Sequence, residues 1–338
     1  MSSPPSVTSS IATPPLPQVS IIIPLYNCLP LTQAMFASLQ ATLPSGLDHQ
    51  IIFVDDGSTD GTREWLASLD NARIHLVANE GNIGYARANN RGVAVARGRF
   101  LVLLNNDLVL LPDWLAPMLE THARLGSAAG VVGNIQLDAQ SGAVDHAGIV
   151  INIQGKPQHV RAVPRWRPPW RAAFVSVPAV TGACLLIERA LWEQLGGFDE
   201  GFVNGGEDID LCFRARAAGR MNAVALRSVV RHHVSASPGR KLRDEENSYR
   251  LARRWGRELV AAADHGAHEW CRIYLAGEFA DPQSVNYRTA LRALAHATRL
   301  SLARPREAEL AIQVGLAREF ERWKKMFADG GGPAPRQR

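Results

Sequence analysis

From Val19 onward the chain repeats one unit, a short apolar run followed by a stretch with apolar residues at helical spacing. Val19 to Leu25 (VSIIIPL) and Gln50 to Val54 (QIIFV) are β-branched and apolar on both faces, as strands covered on both sides of a parallel sheet tend to be. Between them Leu31 to Leu43 carries helical spacing and stops at Pro44-Ser45-Gly46. Arg73 to Val77 and Arg99 to Leu104 read as further strands. Tyr85 to Ala96 and Trp114 to Leu125 read as the helices that follow them. Parallel neighbours need a crossover, usually a helix, so the repetition predicts a doubly wound α/β sheet.

After about Ser127 the pattern loosens into irregular strands (AAGVVGNIQL, AVDHAGIVIN) and the Pro- and Trp-rich VPRWRPPW. A strand-helix unit returns over Val177 to Gly196, a helix is expected from Glu207 to about Ala218, and a strand from Ala223 to Val230. Residues 247–325 are helical in pattern almost throughout. The expected division is a Ser- and Pro-rich disordered lead-in over 1–18, the α/β domain over 19–246, a helical extension over 247–328 and a disordered tail over 329–338.

Ligands of open α/β sheets bind beyond the carboxyl ends of the strands, so the residues after each apolar run carry the most information. Pro24-Leu25-Tyr26-Asn27 follows the first run, Asp55-Asp56-Gly57-Ser58-Thr59-Asp60-Gly61 the second, and Asn105-Asn106-Asp107 the fourth. Glu207-Asp208 opens a helix after the Gly-rich GFVNGG. His232 and His233 close the Ala223 to Val230 strand, and adjacent side chains on an extended chain point in opposite directions.

VSIIIPLYN, VDDGSTDGT, NxGYARANN, LLNND, TGACLLIERALWEQLGGFDE, GGEDIDLCFRARAAG and VVRHH occur in that order. Together they resemble the family-2 inverting glycosyltransferases with the GT-A fold, especially the rhamnosyltransferase-like branch. The resemblance covers residues 19–257 and ends on RRWG. It implies a GT-A catalytic domain over 19–246 that moves a sugar from a UDP- or dTDP-sugar, with dTDP-rhamnose one candidate. The acceptor it implies is a hydroxyl of a glycan or lipid-linked molecule, in cell-surface polysaccharide biosynthesis.

The same resemblance implies roles. Tyr26 packs on the pyrimidine base and Pro24 shapes the strand exit. Asp56, or its neighbour Asp55, accepts the base N3–H in a charge-assisted bond. Asn105-Asn106-Asp107 stands at the DxD position, which holds Mg²⁺ or Mn²⁺ against the pyrophosphate. Asn106 faces the nucleotide there, and Asp107 is the sole carboxylate, a departure from DxD that leaves the metal to arrive mainly with the nucleotide. A histidine completes the site, with His232 preferred and His233 left to packing or the acceptor side. Asn82, Tyr85, Arg87 and Asn89 approach the nucleotide, with Arg87 in reach of a phosphate. Asp208 takes the acceptor proton, Glu207 and Gly206 lie on the acceptor side, and Gly205 and Gly206 form a hinge. Plain structural alternatives stand beside these roles: Asp55, Ser58, Glu207 or Asp208 as a helix cap, and Asn105 to Asp107 as a polar turn. No role follows for Asp145, His146 or His159, and Trp166 and Trp170 serve equally as sugar platforms or loop anchors.

Composition narrows the field. With 46% hydrophobic and 20% charged residues among 338, the chain has a globular make-up. Cys28, Cys184, Cys212 and Cys271 form no CxxC pair, which speaks against a disulfide framework or zinc site and for a reducing compartment. The N-terminus lacks the basic and apolar regions of a signal peptide, and no run suffices to cross a bilayer; a cytoplasmic enzyme, at most at the inner face of the membrane, is expected. Residues 1–239 hold 18 Lys and Arg against 19 Asp and Glu, residues 240–338 hold 19 against 13. A neutral body with a basic end is not the profile of a nucleic-acid binder. The basic amphipathic segments of that end suit an anionic membrane surface. Their interspersed acids favour the alternative of a helical cap on the domain or on a second subunit. Two other functions compete with this one. A sugar-nucleotide pyrophosphorylase would carry a GxGTR-like loop where Pro24 to Asn27 stand, and an inactive nucleotide-sugar-binding module would be marked by loss of Asp107 or Asp208, both of which are present.

Overall fold

A computed structural model of the chain describes residues 18–163, 173–233, 243–278 and 286–328. The first half is the expected alternation: β1 (Val19–Leu25), α1 (Leu29–Thr42), β2 (His49–Asp55), α2 (Thr62–Ala67), β3 (Ile74–Ala78), α3 (Tyr85–Ala94) and β4 (Phe100–Leu104). Then come β5 (Leu108–Leu110), α4 (Ala116–Leu125), β6 (Ala129–Asp138), β7 (Val144–His146), β8 (Ile149–Ile151), β9 (Pro157–His159) and β10 (Phe174–Ser176). β11 (Cys184–Glu188), α5 (Arg189–Leu195), α6 (Glu207–Ala217) and β12 (Met221–His232) complete the domain. α7 (Asp244–Ala261), α8 (Asp264–Glu278), α9 (Tyr287–Ala297) and α10 (Arg306–Ala328) follow.

The main sheet runs β10-β12-β6-β11-β4-β1-β2-β3. β3, β2, β1 and β4 are mutually parallel. β11 is antiparallel to both β4 and β6, so a reversed strand joins the doubly wound half to the rest and makes the sheet mixed. Alternate residues of each central strand enter different cores. Ile22, Ile52, Leu101 and Leu103 face α3 and α6 residues such as Ala88 and Leu211. Ile21, Ile23, Phe53, Val102 and Leu104 face Met35, Phe36 and Leu39 of α1. Two-sided burial is why these strands read as unbroken apolar runs.

Several boundaries differ from expectation. α2, only Thr62–Ala67, is too short to leave a periodic signature. The AVDHAGIVIN segment breaks into β7 and β8 around Gly148, whose φ of 107° only glycine adopts freely. β12 runs on to His232, because its end pairs with β6 and with β5. The lead-in through residue 17, Trp166, Trp170 and the tail from 329 lie outside the described residues.

The C-terminal helices share a third core with the domain. Phe202 and Phe213 pack with Leu251, Trp255 and Leu259 of α7 and with Ile312, Leu316 and Trp323 of α10. α8 lies so close to the end of β8 that a Cβ at Gly266 would stand 2.6 Å from the Asn152 carbonyl carbon. α7 begins at Asp244, ahead of the expected boundary at 246. Among the described residues no helix is long and apolar enough to cross a membrane.

Candidate active site

The loops leaving β1, β2 and β4 meet at one end of the sheet and are tied by their own side chains. The Asn27 amide donates to Ser58 Oγ at 2.8 Å, and Asn27 Oδ1 accepts from the Thr59 amide at 2.8 Å. Asp60 Oδ2 accepts from the Leu29 amide at 2.9 Å. Asn106 Nδ2 donates to Thr32 Oγ1 at 2.9 Å, which brings in the third loop. Asn27 and Cys28 hold left-handed conformations, φ 57° and 63°, to make the turn into α1. Such conformations are strained for side-chain-bearing residues and collect at functional sites. Pro24 is buried in β1 just past Ile22, where pairing with β4 ends, so its missing N–H costs no ladder bond on that side. Tyr26 stands 48% exposed at the rim.

The two adjacent aspartates differ. Asp55 is fully enclosed; its Oδ2 takes Arg63 Nε at 2.7 Å and its Oδ1 the Ser58 amide at 3.0 Å. It fastens the turn internally and does not cap α2, whose N-cap Gly61 has no side-chain cap bond. Asp56 holds the next loop instead: Oδ1 accepts from Asn79 Nδ2 at 2.7 Å and the Ile83 amide at 3.0 Å, Oδ2 from the Gly84 amide at 3.0 Å. The loops are so close that a Cβ on Gly57 would sit 2.6 Å from Gly81 Cα. Asn82 caps this same turn through the Gly84 amide, at 3.1 Å. Buried Asn89 donates to the Tyr85 carbonyl at 2.9 Å, and Arg87 lies against Glu200 at 3.3 Å on the surface.

Asp107 and His232 come together through the sheet. β5 is antiparallel to the end of β12, with Leu108 opposite His232. This sets Asp107 Oδ1 3.3 Å from His232 Nε2, both residues being buried. His233 points the other way, half-buried, and its amide donates to the Asp107 carbonyl at 3.0 Å. Asp107 Oδ1 and both ring nitrogens of His232 have no hydrogen-bond partner. Buried polar atoms are rarely left so, and a carboxylate oxygen beside an imidazole nitrogen is a donor set that fits a divalent cation. Among the described residues no three His, Cys, Asp or Glu gather as a metal cage. A cation here would draw further oxygens from a bound ligand. Near this pair His146 and His159 touch through their Nδ1 atoms at 3.1 Å. Burial, with His159 and His232 adding to it, holds His146 well below the ordinary 6.5, so it is neutral.

Asp208 lies in the first turn of α6, half-buried, after Gly205 (φ 157°) and Gly206 (φ 92°). A Cβ on Gly206 would fall 2.9 Å from the Phe202 ring. Asp208 Oδ2 accepts from the Gly182 amide at 2.8 Å, and the Tyr85 hydroxyl donates to the Gly182 carbonyl at 2.8 Å. Asn204 reaches the Tyr85 amide at 3.4 Å. These bonds link the Asp56 loop, through the start of α3, to Asp208. Buried Glu207 folds back to accept from the Gly205 amide at 2.8 Å, closing the glycine turn.

The residues that hold this loop from behind carry no motif of their own in the sequence. Asn247 of α7 brackets Val203, donating to its carbonyl at 2.9 Å and accepting from its amide at 3.3 Å. Arg250 and Arg254 pair with Asp199 at 3.0 Å. Trp255 Nε1 donates to Asp210 Oδ1 at 2.8 Å, and Arg214 and Arg254 complete that buried carboxylate at 2.8 and 3.0 Å. The one signal in the sequence is RRWG, which holds Arg254 and Trp255.

A carboxylate and an imidazole thus face each other at the carboxyl edge of a mixed α/β sheet, with an exposed aromatic ring and further carboxylates on the neighbouring loops. The sequence comparison gives the family. The model for "Glycosyl transferase family 2" matches residues 20–196, more than half of the chain, and the chain belongs to that family. It is 32% identical over 278 residues to the "Uncharacterized protein y4gI" of Sinorhizobium fredii (79% of this chain, 28% of that protein). To the "O-antigen biosynthesis protein RfbC" of Myxococcus xanthus it is 31% identical over 236 residues (65% and 18%). To the "N-acetylglucosaminyl-diphospho-decaprenol L-rhamnosyltransferase" of Mycobacterium tuberculosis it is 26% identical over 301 residues (82% and 94%). The chain therefore spans well under a third of the first two relatives.

Solved structures share the fold. The mannosyltransferase PcManGT of Pyrobaculum calidifontis, in complex with GDP-Man and Mn²⁺, superimposes with a TM-score of 0.55 at 19% identity (93% of this chain, 88% of that one). GalNAc-T7 with UDP, GalNAc and Mn²⁺ gives 0.58 at 17% identity (93% and 57%). The fold is GT-A, as expected, with helices at the C-terminus.

Proposed function

We propose that the chain is an inverting glycosyltransferase that moves a sugar from a UDP- or dTDP-sugar to a hydroxyl of a glycan or lipid-linked acceptor in cell-surface polysaccharide synthesis. The observation that carries this reading is the buried Asp107–His232 pair, 3.3 Å apart with no hydrogen bond to Asp107 Oδ1 or the ring nitrogens, on the same sheet edge as Tyr26 and Asp56. The names of the Myxococcus and Mycobacterium relatives support the product class, and the Mn²⁺ in the solved relatives supports a divalent cation.

In this reading the exposed Tyr26 ring offers its face to the base. Asp56 Oδ2, with one donor already in place, has room to accept the base N3–H. Thr32 fixes Asn106 so that Asp107 is turned inward. Asp107 and His232 would hold Mg²⁺ or Mn²⁺, which supplies positive charge against the pyrophosphate as the nucleoside diphosphate leaves. Asp208, oriented by the Gly182 amide, takes the proton of the acceptor hydroxyl as that oxygen attacks the anomeric carbon from the face opposite the departing group. Attack from that face inverts the anomeric centre. A lipid-linked acceptor would place the reaction at the cytoplasmic face of a membrane.

The test is calorimetric binding of UDP-, dTDP- and GDP-sugars with Mn²⁺ and with chelator, together with release of nucleoside diphosphate on adding acceptor. We expect a UDP- or dTDP-sugar to bind, less tightly after chelation, and to turn over. Binding that never leads to turnover with any acceptor would instead identify an inactive nucleotide-sugar module.

A further inference from the structure

The inner side of α9 is well packed: Thr289, Ala293 and His296 are buried. Its outer side is not. Tyr287, Leu291 and Leu294, at i, i+4 and i+7 and so on one stripe, are 78%, 69% and 44% exposed. The turn beyond adds Leu300 at 85% and Leu302 at 90%. Scattered exposed apolar residues are ordinary on a soluble protein, but a contiguous run of large ones marks an interaction surface.

The turn is built, not slack. Arg299 adopts φ 60°, a left-handed conformation that disfavours a branched-out side chain. It is closed by the Arg299 amide on the His296 carbonyl and the Ser301 amide on the Ala295 carbonyl, both at 3.0 Å. Arg304 then anchors the chain, with bonds of 2.7 Å to Asp264, 2.9 Å to the Val260 carbonyl and 2.6 Å to the Ala261 carbonyl. Leu300 and Leu302 are thus displayed between two fixed points.

The segment that carries this face is basic, with Asp264 pairing to Arg304 and Glu307 within electrostatic reach of Arg292 and Arg306. From Pro282 to Arg306 the sequence holds Arg288, Arg292, Arg299, Arg304 and Arg306 and no Asp or Glu. Among the described residues, Arg304 alone of these makes an ion pair. In the sequence the segment is bounded by Asp281 on one side and, on the other, by Glu307, which accepts from Thr289 Oγ1 at 3.0 Å, and Glu309. Arg288 and Arg292 are exposed and flank the Tyr287–Leu291 stripe by one position.

We propose that the outer face of α9 and the α9–α10 turn form a docking surface for an anionic lipid bilayer. Leu300, Leu302 and the α9 stripe would enter the acyl boundary, with the arginines at the level of the lipid phosphates. A second copy of the chain fits this face poorly: a two-fold contact would bring the arginine stripe onto itself with no carboxylate of the segment to receive it. Other copies are therefore an outcome of the test, not the occupant. The surface lies on the same C-terminal extension whose α7 brackets the loop before Asp208, so docking would bring the bilayer to the extension that holds the acceptor-side loop. The proposal goes beyond the sugar-transfer reading and is measured without turnover, so either can fail alone.

The experiment is co-sedimentation of the full chain with vesicles of phosphatidylcholine alone and of phosphatidylcholine mixed with phosphatidylglycerol. We expect binding to the mixed vesicles, weakening as salt is raised. Removing each of Arg288 and Arg292 (Arg→Gln) is expected to weaken binding about five-fold, and Leu300→Ser with Leu302→Ser by at least ~10-fold. The melting temperature and the release of nucleoside diphosphate on sugar transfer to a water-soluble acceptor are expected to stay at wild-type values. The proposal is overturned if the chain ignores the mixed vesicles at low salt, or binds both kinds equally. It is also overturned if the leucine variant binds like wild type, or if those leucines are found to mediate a dimer in solution.

Discussion

The loops we propose for the donor side and the loop we propose for the acceptor side are held in different ways. After β1, β2 and β4 the ties come from within the loops themselves: Asn27 with Ser58 and Thr59, Asp60 with Leu29, Asn106 with Thr32, Asp56 with Ile83 and Gly84. Around residues 199–208 the ties come from outside. Asn247, Arg250, Arg254 and Trp255 of α7 hold Val203, Asp199 and Asp210. The donor side is thus a self-contained cradle, whereas the acceptor side takes its shape from the C-terminal extension. An enzyme organised this way can keep its nucleotide chemistry fixed while the extension sets which acceptor is reached.

Asp208 stands where the two sides meet, and its loss should have the largest effect. Asp208→Asn keeps the shape and removes the base, so turnover should fall by ~10² to 10⁴-fold while nucleotide affinity, measured by calorimetry, stays close to wild type. Full turnover in this variant would take Asp208 out of the mechanism. Next come the supports on each side. Trp255→Ala removes a buried ring that touches Phe213 and donates to enclosed Asp210; a loss of about 3 to 5 kcal/mol in chemical denaturation is expected. Arg63→Ala leaves the enclosed Asp55 carboxylate without its guanidinium, at a cost of about 1 to 3 kcal/mol. The comparison predicts that Arg63→Ala weakens nucleotide binding and spares acceptor KM, and that Trp255→Ala does the reverse among molecules that remain folded. The same signature in both variants would break the division.

The donor side is legible in the sequence because each of its groups follows its own strand by a few residues. Two-sided burial writes each strand as an apolar run, and Tyr26, Asp56 and Asp107 stand directly after such runs. What is not legible is which of two neighbours does what. Asp55 and Asp56 differ only through Arg63 and Asn79, and His232 is singled out from His233 only by the β5–β12 register. The acceptor side is illegible for a stronger reason: its supports are tens of residues away and lie on a helix whose sequence reads as an ordinary basic amphipathic segment. Periodicity marks α7 as a helix but cannot say that Asn247 faces Val203.

Asn247→Ala isolates that support without touching a core ring. It removes two hydrogen bonds to the Val203 backbone and is expected to destabilise by about 1 to 2 kcal/mol. Acceptor KM should rise while the affinity for the nucleotide-sugar is unchanged. Asn247→Asp, which retains the acceptor but not the donor, should fall between. A shift in nucleotide affinity as large as that in acceptor KM would show that the two sides are not separately held.

The smallest effect is electrostatic, and acid alone cannot reveal it. Burial pushes the Asp199 carboxyl up, but the Gly201 amide and the Arg250 and Arg254 guanidinium groups outweigh it and hold the carboxyl below its ordinary 3.8. Asp60 on the donor side is likewise held below 3.8: burial opposes its charge, and the Thr62 hydroxyl and the Leu29 and Thr62 amides prevail. A carboxyl with a lowered folded pKa stabilises fully above its unfolded value and loses that contribution as pH falls through the folded one. Both ties therefore persist at neutral pH and are lost in the same range, below about pH 4. Salt separates them, because the partners of Asp60 are neutral donors whereas those of Asp199 are cations 42–47% exposed. Screening should weaken only the latter, by no more than about 1 kcal/mol. At neutral pH, raising salt should speed hydrogen exchange at the Gly201 and Val203 amides and leave those of Leu29 and Thr59 unchanged. Unchanged exchange at Gly201 and Val203 would mean that the acceptor loop is held by its hydrogen bonds to Asn247 and not by the Asp199 ion pairs.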